Sequence, residues 1–254
     1  MNFILSDTVS MIFLELVPRN LTNLCENSLD FLASFSQLTG INVPDIKRLP
    51  IRSADAALAL LNQSITTIPH IRTQDDTHDG HIATLSRLYT LGLRHVLLIS
   101  GDTDETNPVS DVTPISLTRI LKKEFNDLVI YCGIDPYRQS FKQECDYATQ
   151  KLNAGADGLF SQPFFDCDLY QMYAKEFSKT QFFCGISPVT TESSFKYWQT
   201  VNHVSFADSF DLSLDYNIKL GKDLLDCAIQ NKQHAYLMPI RTPVKNYLKL
   251  IFSN

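Results

Sequence analysis

Eight short apolar runs, each followed by a longer stretch with helical spacing, recur about every 20 to 35 residues along the chain. They fall at residues 11–16 (MIFLEL), 40–45 (GINVPD), 67–72 (TIPHIR), 95–100 (HVLLIS), 127–134 (DLVIYCGI), 158–165 (GLFSQPFF), 181–189 (QFFCGISPV) and 234–240 (HAYLMPI). The runs are apolar almost throughout rather than alternating, which means strands covered on both faces and therefore a parallel sheet. Eight parallel strands with helices between them close into a (β/α)8 barrel, the α/β TIM-barrel architecture. No Pro- or Ser-rich linker interrupts the pattern, so residues 1–254 are expected to form one domain.

The longer stretches carry the helices: 20–37, 53–63, 79–92, 116–125, 137–155 and 214–231, with Ser53, Asp79 and Ser116 as expected N-caps and Gly92 and Gly155 as C-terminal stops. The connection NHVSFADSFDLSLDY between the seventh and eighth units is long enough for a spare half-element. With 44% hydrophobic and 20% charged residues in 254, there is ample material for a large core. A net charge of -6 without basic clusters argues against nucleic acid and anionic membranes as partners. No apolar stretch approaches the roughly 18 residues of a spanning helix, and the first residues have neither a basic region nor a small-residue cleavage site. A cytoplasmic protein acting on a small molecule is the expectation, and self-association is common for soluble enzymes of this size. The six cysteines are scattered without a C-x-x-C and mostly within apolar stretches, which predicts buried free thiols rather than disulfides or structural zinc.

In such a barrel the reactive groups lie at the C-terminal ends of the strands, where eight loops converge over a packed interior. Asp102 ends the fourth run there, and Glu15, Asp45, His70, Tyr131, Gln162 and Arg241 stand near the ends of others. Glu15, flanked by apolar residues in IFLELVP, would be poorly solvated and held neutral, as a general acid requires; a solvated carboxylate or an ion pair with Arg19 is the alternative. Gln162 offers both donor and acceptors, suited to the edge of a flat heteroaromatic amide. Phe164, Phe165, Phe195 and Trp198 are aromatic faces nearby, at least three of which are expected in the core. His78 and His81 in THDGH lack a third ligand, so a solvated helix start explains them better than metal. The absence of any G-x-G removes both the dinucleotide fingerprint and the P-loop. No lysine stands at a strand end for Schiff-base chemistry, which disfavours an aldolase-type barrel.

Several segments resemble the methylenetetrahydrofolate reductases, flavin-dependent barrels of one-carbon metabolism. IFLELVP, PHI, LGLRHVLLISGD, KLNAGADGLFSQPFFD and CGISPV occur in that family's order and spacing, from about residue 11 to about residue 241. The most specific is AGADGLFSQPFFD, similar to A-G-A-[DN]-x-x-x-[TS]-Q-x-F-F-D. The resemblance implies that Glu15 is the acid that opens the five-membered ring of methylenetetrahydrofolate. It places Asp102 between flavin and pterin, Gln162 on the folate, and Trp198 where an aromatic packs on folate or nicotinamide. It assigns His70 and Tyr131 to flavin contacts and Lys151 to the flavin phosphates. Ser100, before Gly101 and Asp102, joins the cofactor side, and Arg241, in the segment resembling the family's terminal H-F-Y-T-L-N-R, joins the substrate side.

The implied activity is reduction of 5,10-methylenetetrahydrofolate to 5-methyltetrahydrofolate, a step toward methionine biosynthesis. FAD is the implied cofactor and NADH or NADPH the hydride donor, the two substrates taking turns in one slot. The chain ends soon after that terminal segment, so no regulatory domain is expected. Some positions depart from the family. Ser100 replaces the arginine of R-G-D, Asp135 stands where many members have histidine, and Tyr147 and Gln150 occupy positions of polar or basic flavin contacts. Asp45 and Ser53 follow the V-x-D-x-x-x-x-R-x-S form. These departures keep a second expectation open: a diverged member with weakened flavin binding, serving as a partner subunit or a folate- or pterin-binding protein.

Overall fold

The computed structural model describes residues 10–101 and 110–253. Eight parallel strands form a closed barrel in chain order: β1 (Ile12–Glu15), β2 (Gly40–Val43), β3 (Thr67–Arg72), β4 (His95–Ile99), β5 (Val129–Ile134), β6 (Gly158–Pro163), β7 (Gln181–Ile186) and β8 (His234–Leu237). β1 pairs β2 with Glu15 beside Asn42, and β8 closes the ring with Leu14 beside Leu237. Every apolar run is thus a strand, each at least a residue shorter than drawn except β3, because pairing ends where the chain turns into its loop.

Among the described residues nine α-helices lie outside: α1 (Leu21–Ser34), α2 (Ser53–Leu61), α3 (His78–Thr90), α4 (Pro114–Glu124), α5 (Phe141–Asn153), α6 (Cys167–Glu176), α7 (Glu192–Thr200), α8 (Leu214–Gln230) and α9 (Val244–Ile251). Their starts correct the expected caps. Thr77 rather than Asp79 caps α3, and Thr113 caps α4 with Ser116 closing a reciprocal capping box three residues on. Ser53 is already helical and caps nothing: its hydroxyl donates to the carbonyl of His70 and ties α2 to the end of β3. Gly92 (φ +100°) and Gly155 (φ +112°) do stop α3 and α5, in the left-handed conformation that glycine adopts without cost. The connection 202–216 holds no spare half-element: it runs through turns and bends until Leu214 starts α8, and the extra helix, α7, precedes it in the chain.

Two cores result. Between strands and helices, Leu14, Ile41, Val96, Leu98, Ile130, Leu159 and Phe182 face Ala56, Leu60, Leu117, Leu121, Ala148 and Tyr173. Inside the barrel, Phe13, Ile68, Leu97, Tyr131, Phe160, Phe183, Tyr236 and Met238 fill the lumen, with Phe160 stacked on Phe183 at 3.9 Å between centroids. The lumen is therefore a solid floor, and ligands can reach only the rim above it. A third, small cluster of Phe165, Val189, Trp198 and Val204, with Phe195, Phe206 and Phe210 against it, packs α7 and the following connection onto the rim. No helix among the described residues is long and apolar enough to cross a membrane. All six thiols are free, three buried and three half-buried.

Candidate active site

A cleft of about 400 Å³ opens over the C-terminal ends of the strands, directly above the aromatic floor. One wall comes from β1 and β6 to β8, with Glu15, Gln162, Trp198 and Tyr236; the other comes from β3 to β5, with His70, Ser100, Gly133, Asp135 and Lys151.

Glu15 is the last residue of β1 and is mostly shielded from water, with an edge left on the cleft. Burial pushes its carboxyl up to about 7, against a smaller opposing effect of the Tyr236 hydroxyl, which donates to Oε2. No charge from Arg19 enters that balance, so the ion-pair alternative does not describe this site. Tyr236 reaches from β8 and is also 3.4 Å from His70 Nε2 on β3. Burial holds the His70 imidazole neutral, lowering it to about 3. Three side chains from three strands thus meet at the base of the cleft, all uncharged near pH 6.

Gln162 owes its position to an irregularity. The pairing of β6 with β7 shifts register between Phe160 and Pro163, a bulge of the kind that re-aims a side chain. Ser161 pins the bulge by accepting from the Gly185 amide at 2.8 Å. A Cβ on Gly185 would lie 2.6 Å from the Ser161 carbonyl oxygen and 2.8 Å from that of Gln162, so the close approach requires glycine. Gly185→Ala is expected to cost about 1–3 kcal/mol and to displace Gln162, seen as a lower melting temperature together with weaker ligand binding at the cleft by the folded fraction.

On the other wall, Lys151 is buried in the last turn of α5, its Nζ 2.6 Å from the Gly133 carbonyl and 4.0 Å from the centre of the Tyr147 ring. Burial lowers its ammonium to about 8, so it remains mostly cationic at neutral pH. Glu144, fully buried and not anticipated from sequence, holds the β5–α5 loop by accepting from the Asp135 amide, Arg138 and Gln139. Gly133 leaves β5 without a side chain near its end: a Cβ there would meet only Ile99 at 3.4 Å and the Leu98 carbonyl at 4.0 Å, both ordinary contacts, so the space toward the cleft is open. A bare strand end flanked by Lys151 and Arg138 could hold a flat cofactor with an anionic tail. Ser100 lines the same wall, and the guanidinium next to Gly101 comes from Arg72 on β3, which also pairs with Asp75. Asp45 is held by two hydrogen bonds, from Nε and Nη2 of Arg52, and the same Nη2 also donates to Asp75.

Three expectations need correction or qualification. Tyr131 does not line the cleft: it lies two residues before Gly133, stacks on His95 and hydrogen-bonds Gln181, both at the starts of their strands. Its inward direction is as expected, but it sits a layer too deep to touch a ligand at the mouth. Arg241, with a left-handed φ of +55°, is exposed on the rim outside the cleft and donates to Ser193 on α7. Trp198 lines the cleft yet is 4% exposed, edge-on to Phe165 with ring centres 5.3 Å apart, so it is a wall of the small cluster as well. Its indole N–H has no partner among the described residues, an orphan donor beside the ligand space. Asp102 lies outside the described residues.

His78 and His81 are not a solvated pair. His81 is buried against the Thr73 carbonyl, and His78 pairs with Ser116 on α4. Among the described residues no three His, Cys, Asp or Glu side chains are gathered to hold a metal.

Fold and site together define a (β/α)8 barrel with a neutral carboxylic acid, a carboxamide and an indole around a cleft at its mouth. The chain belongs to the methylenetetrahydrofolate reductase family, whose model matches residues 26–224. A curated relative, 5,10-methylenetetrahydrofolate reductase of Buchnera aphidicola subsp. Baizongia pistaciae (strain Bp), is 24% identical over 148 residues, covering 56% of this chain and 50% of that protein. The match thus spans half of that relative's length. Among solved structures, 2,3-dimethylmalate lyase, a PEP mutase/isocitrate lyase superfamily member, superposes with a TM-score of 0.59 at 11% identity, over 91% of this chain and 75% of that one. That likeness is one of fold alone. Gln162, Lys151 and Trp198 fall inside the family match, while Glu15 and Tyr236 fall outside it.

Proposed function

We propose that the chain reduces 5,10-methylenetetrahydrofolate to 5-methyltetrahydrofolate, with NADH or NADPH as hydride donor and FAD as carrier. The single observation that supports this reading best is a carboxylic acid raised to about 7, so that a large share of it still holds its proton at neutral pH, at the mouth of a barrel of this family. Bound flavin supplies the hydride-carrying chemistry that no side chain can. The residues present are compatible with it: the bare backbone of β5 at Gly133 leaves room for a flat ring, and Lys151, with Arg138 in its ion pair to Glu144, would lie beside it.

Glu15 is the group that gives its proton to a nitrogen of the folate's five-membered ring, opening it so that the methylene carbon becomes electrophilic. Gln162, held over the cleft by the β6 bulge, orients the pterin edge through its paired donor and acceptor. Trp198 contributes its unpaired N–H and a wall that excludes water. The aromatic floor keeps the local dielectric low, which strengthens each of these interactions. Asp102 is proposed, on the resemblance, to set a negative field beside the developing cation.

Lys151 gives the cofactor side its own test. Because its ammonium titrates near pH 8, anion binding at this wall is present below that pH and weakens above it. Lys151→Met is expected to loosen FAD about tenfold and to remove that alkaline loss, as measured by flavin fluorescence titration at pH 7 and 9. For the reaction itself, FAD-loaded protein reduced by NADPH is mixed anaerobically with 5,10-methylenetetrahydrofolate and the folates are separated. Stoichiometric 5-methyltetrahydrofolate supports the reading; recovery of unchanged substrate contradicts it.

A further inference from the structure

The base of the cleft carries a hydrogen-bond chain whose direction the structure constrains. Tyr236, enclosed on β8, has two hydrogen-bond partners among the described residues: Glu15 Oε2, and His70 Nε2 at 3.4 Å. Asn42 on β2 comes close to the same phenol but makes no hydrogen bond of normal geometry. The remaining surroundings are apolar, with the Phe160 ring 5.3 Å away, edge to face.

We propose that Tyr236 is a positioning residue: His70, in its Nε2–H tautomer, donates to the Tyr236 oxygen, and the Tyr236 hydroxyl donates to Glu15 Oε2, confining the transferable proton of Glu15 to Oε1. A phenol has one hydrogen, and His70 Nε2, at 3.4 Å, stands at the far limit of hydrogen-bond distance, so that hydrogen goes to Glu15. In this direction the chain serves both states of the acid. Oε2 accepts from Tyr236 whether Oε1 carries its proton or has given it up, so no hydrogen need turn when the proton leaves. The reverse direction, Glu15 to Tyr236 to His70, requires the Nδ1–H tautomer and sequesters the acid proton inside the contact with the phenol. Two hydrogens would then have to flip before the proton reached a ligand.

The tautomer has a consequence at the cleft. With Nε2 protonated toward Tyr236, His70 has only the bare Nδ1 left, so the histidine lining this wall offers an acceptor and pairs with an N–H group of a ligand rather than a carbonyl. The catalytic meaning of the Glu15 proton rests on the reductase reading; the direction of the chain does not.

The test uses the full chain, labelled with 15N-histidine and 13C-glutamate, without flavin or folate. Long-range proton–nitrogen spectra report the tautomer, and His70→Gln identifies the resonance. The expected result is a protonated Nε2 and a bare Nδ1 for His70. In Tyr236→Phe the Glu15 carboxyl midpoint is expected to rise by about one pH unit, since one hydrogen bond to the charged form is lost. A purely structural role for Tyr236 would leave that midpoint unmoved and would overturn the proposal, as would an Nδ1–H tautomer in the unaltered protein. Should Tyr236→Phe fail to fold, the tautomer measurement decides alone. Neither readout requires turnover, so a protein without reductase activity would count against the functional reading and leave these outcomes standing.

Discussion

Glu15→Gln is expected to lower the rate of the folate half-reaction by about 10²–10⁴-fold, the range general acids contribute. Under the proposed reaction the loss falls on the folate step rather than on reduction of the flavin by nicotinamide, because only ring opening needs a proton. The same substitution has a thermodynamic signature. The carboxyl sits at about 7 in the fold against 4.5 as its ordinary value, so between those values the folded chain holds a proton that the unfolded chain releases. Stability therefore falls as pH rises through this window, by about 3 kcal/mol in all, and stays low above it. Glutamine has no proton to lose. Relative to the unaltered protein, the variant should become more stable from pH 5 to pH 8, and a difference that stays flat across that range would show that Glu15 is solvated. His70 works in the opposite sense. Its imidazole is neutral down to about 3, so stability is lost as pH falls through the ordinary histidine range, and His70→Gln should flatten the acid limb.

Phe160→Ala should be the most damaging single truncation in the lumen. Phe160 is 2% exposed, stacks on Phe183, and meets Phe13, Tyr131 and Tyr236 edge-on at 6.3, 5.0 and 5.3 Å. Removing the ring costs its transfer energy and leaves a cavity that the rigid barrel wall cannot close, together about 3–5 kcal/mol. For a chain of this size that lowers the melting temperature on the order of 10 °C. It also takes away the floor beneath Tyr236 and lies one residue from the bulge that sets Gln162, so the surviving folded protein should bind folate poorly. Phe160→Leu, which keeps most of the volume, should cost less than half as much. A melting temperature unchanged by the alanine would mean that the lumen is loosely packed.

The strands were legible because a parallel barrel writes itself as eight apolar runs, and Glu15 and Gln162 were legible because each interrupts such a run near its end. Depth was harder. Tyr131 and Gly133 point the same way from β5, but two residues of a strand span about 6.6 Å, enough to put one in the floor and the other at the mouth. α6 and α7 were hidden because the sixth and seventh apolar runs continue past their strands into the following connections, where Phe164, Phe165 and Val189 are buried without belonging to the sheet. The caps failed for a related reason. Ser53 and Ser116 have the right chemistry, but Ser53 spends its hydroxyl on the neighbouring strand and Ser116 serves as the third residue of a box already started by Thr113. Tyr236 carried no signal of its own: a tyrosine inside an apolar run reads as core, and only closure of β8 against β1 brings it to Glu15.

The most direct measurement of the central claim is the visible spectrum of the purified protein through one anaerobic cycle. FAD is added first, then NADH or NADPH, and finally 5,10-methylenetetrahydrofolate. The account predicts flavin bands that bleach with the nicotinamide and return with the folate, faster at pH 6 than at pH 8 because Glu15 must carry its proton. A protein that takes up no flavin, or whose reduced flavin is left bleached by the folate at both pH values, would contradict it.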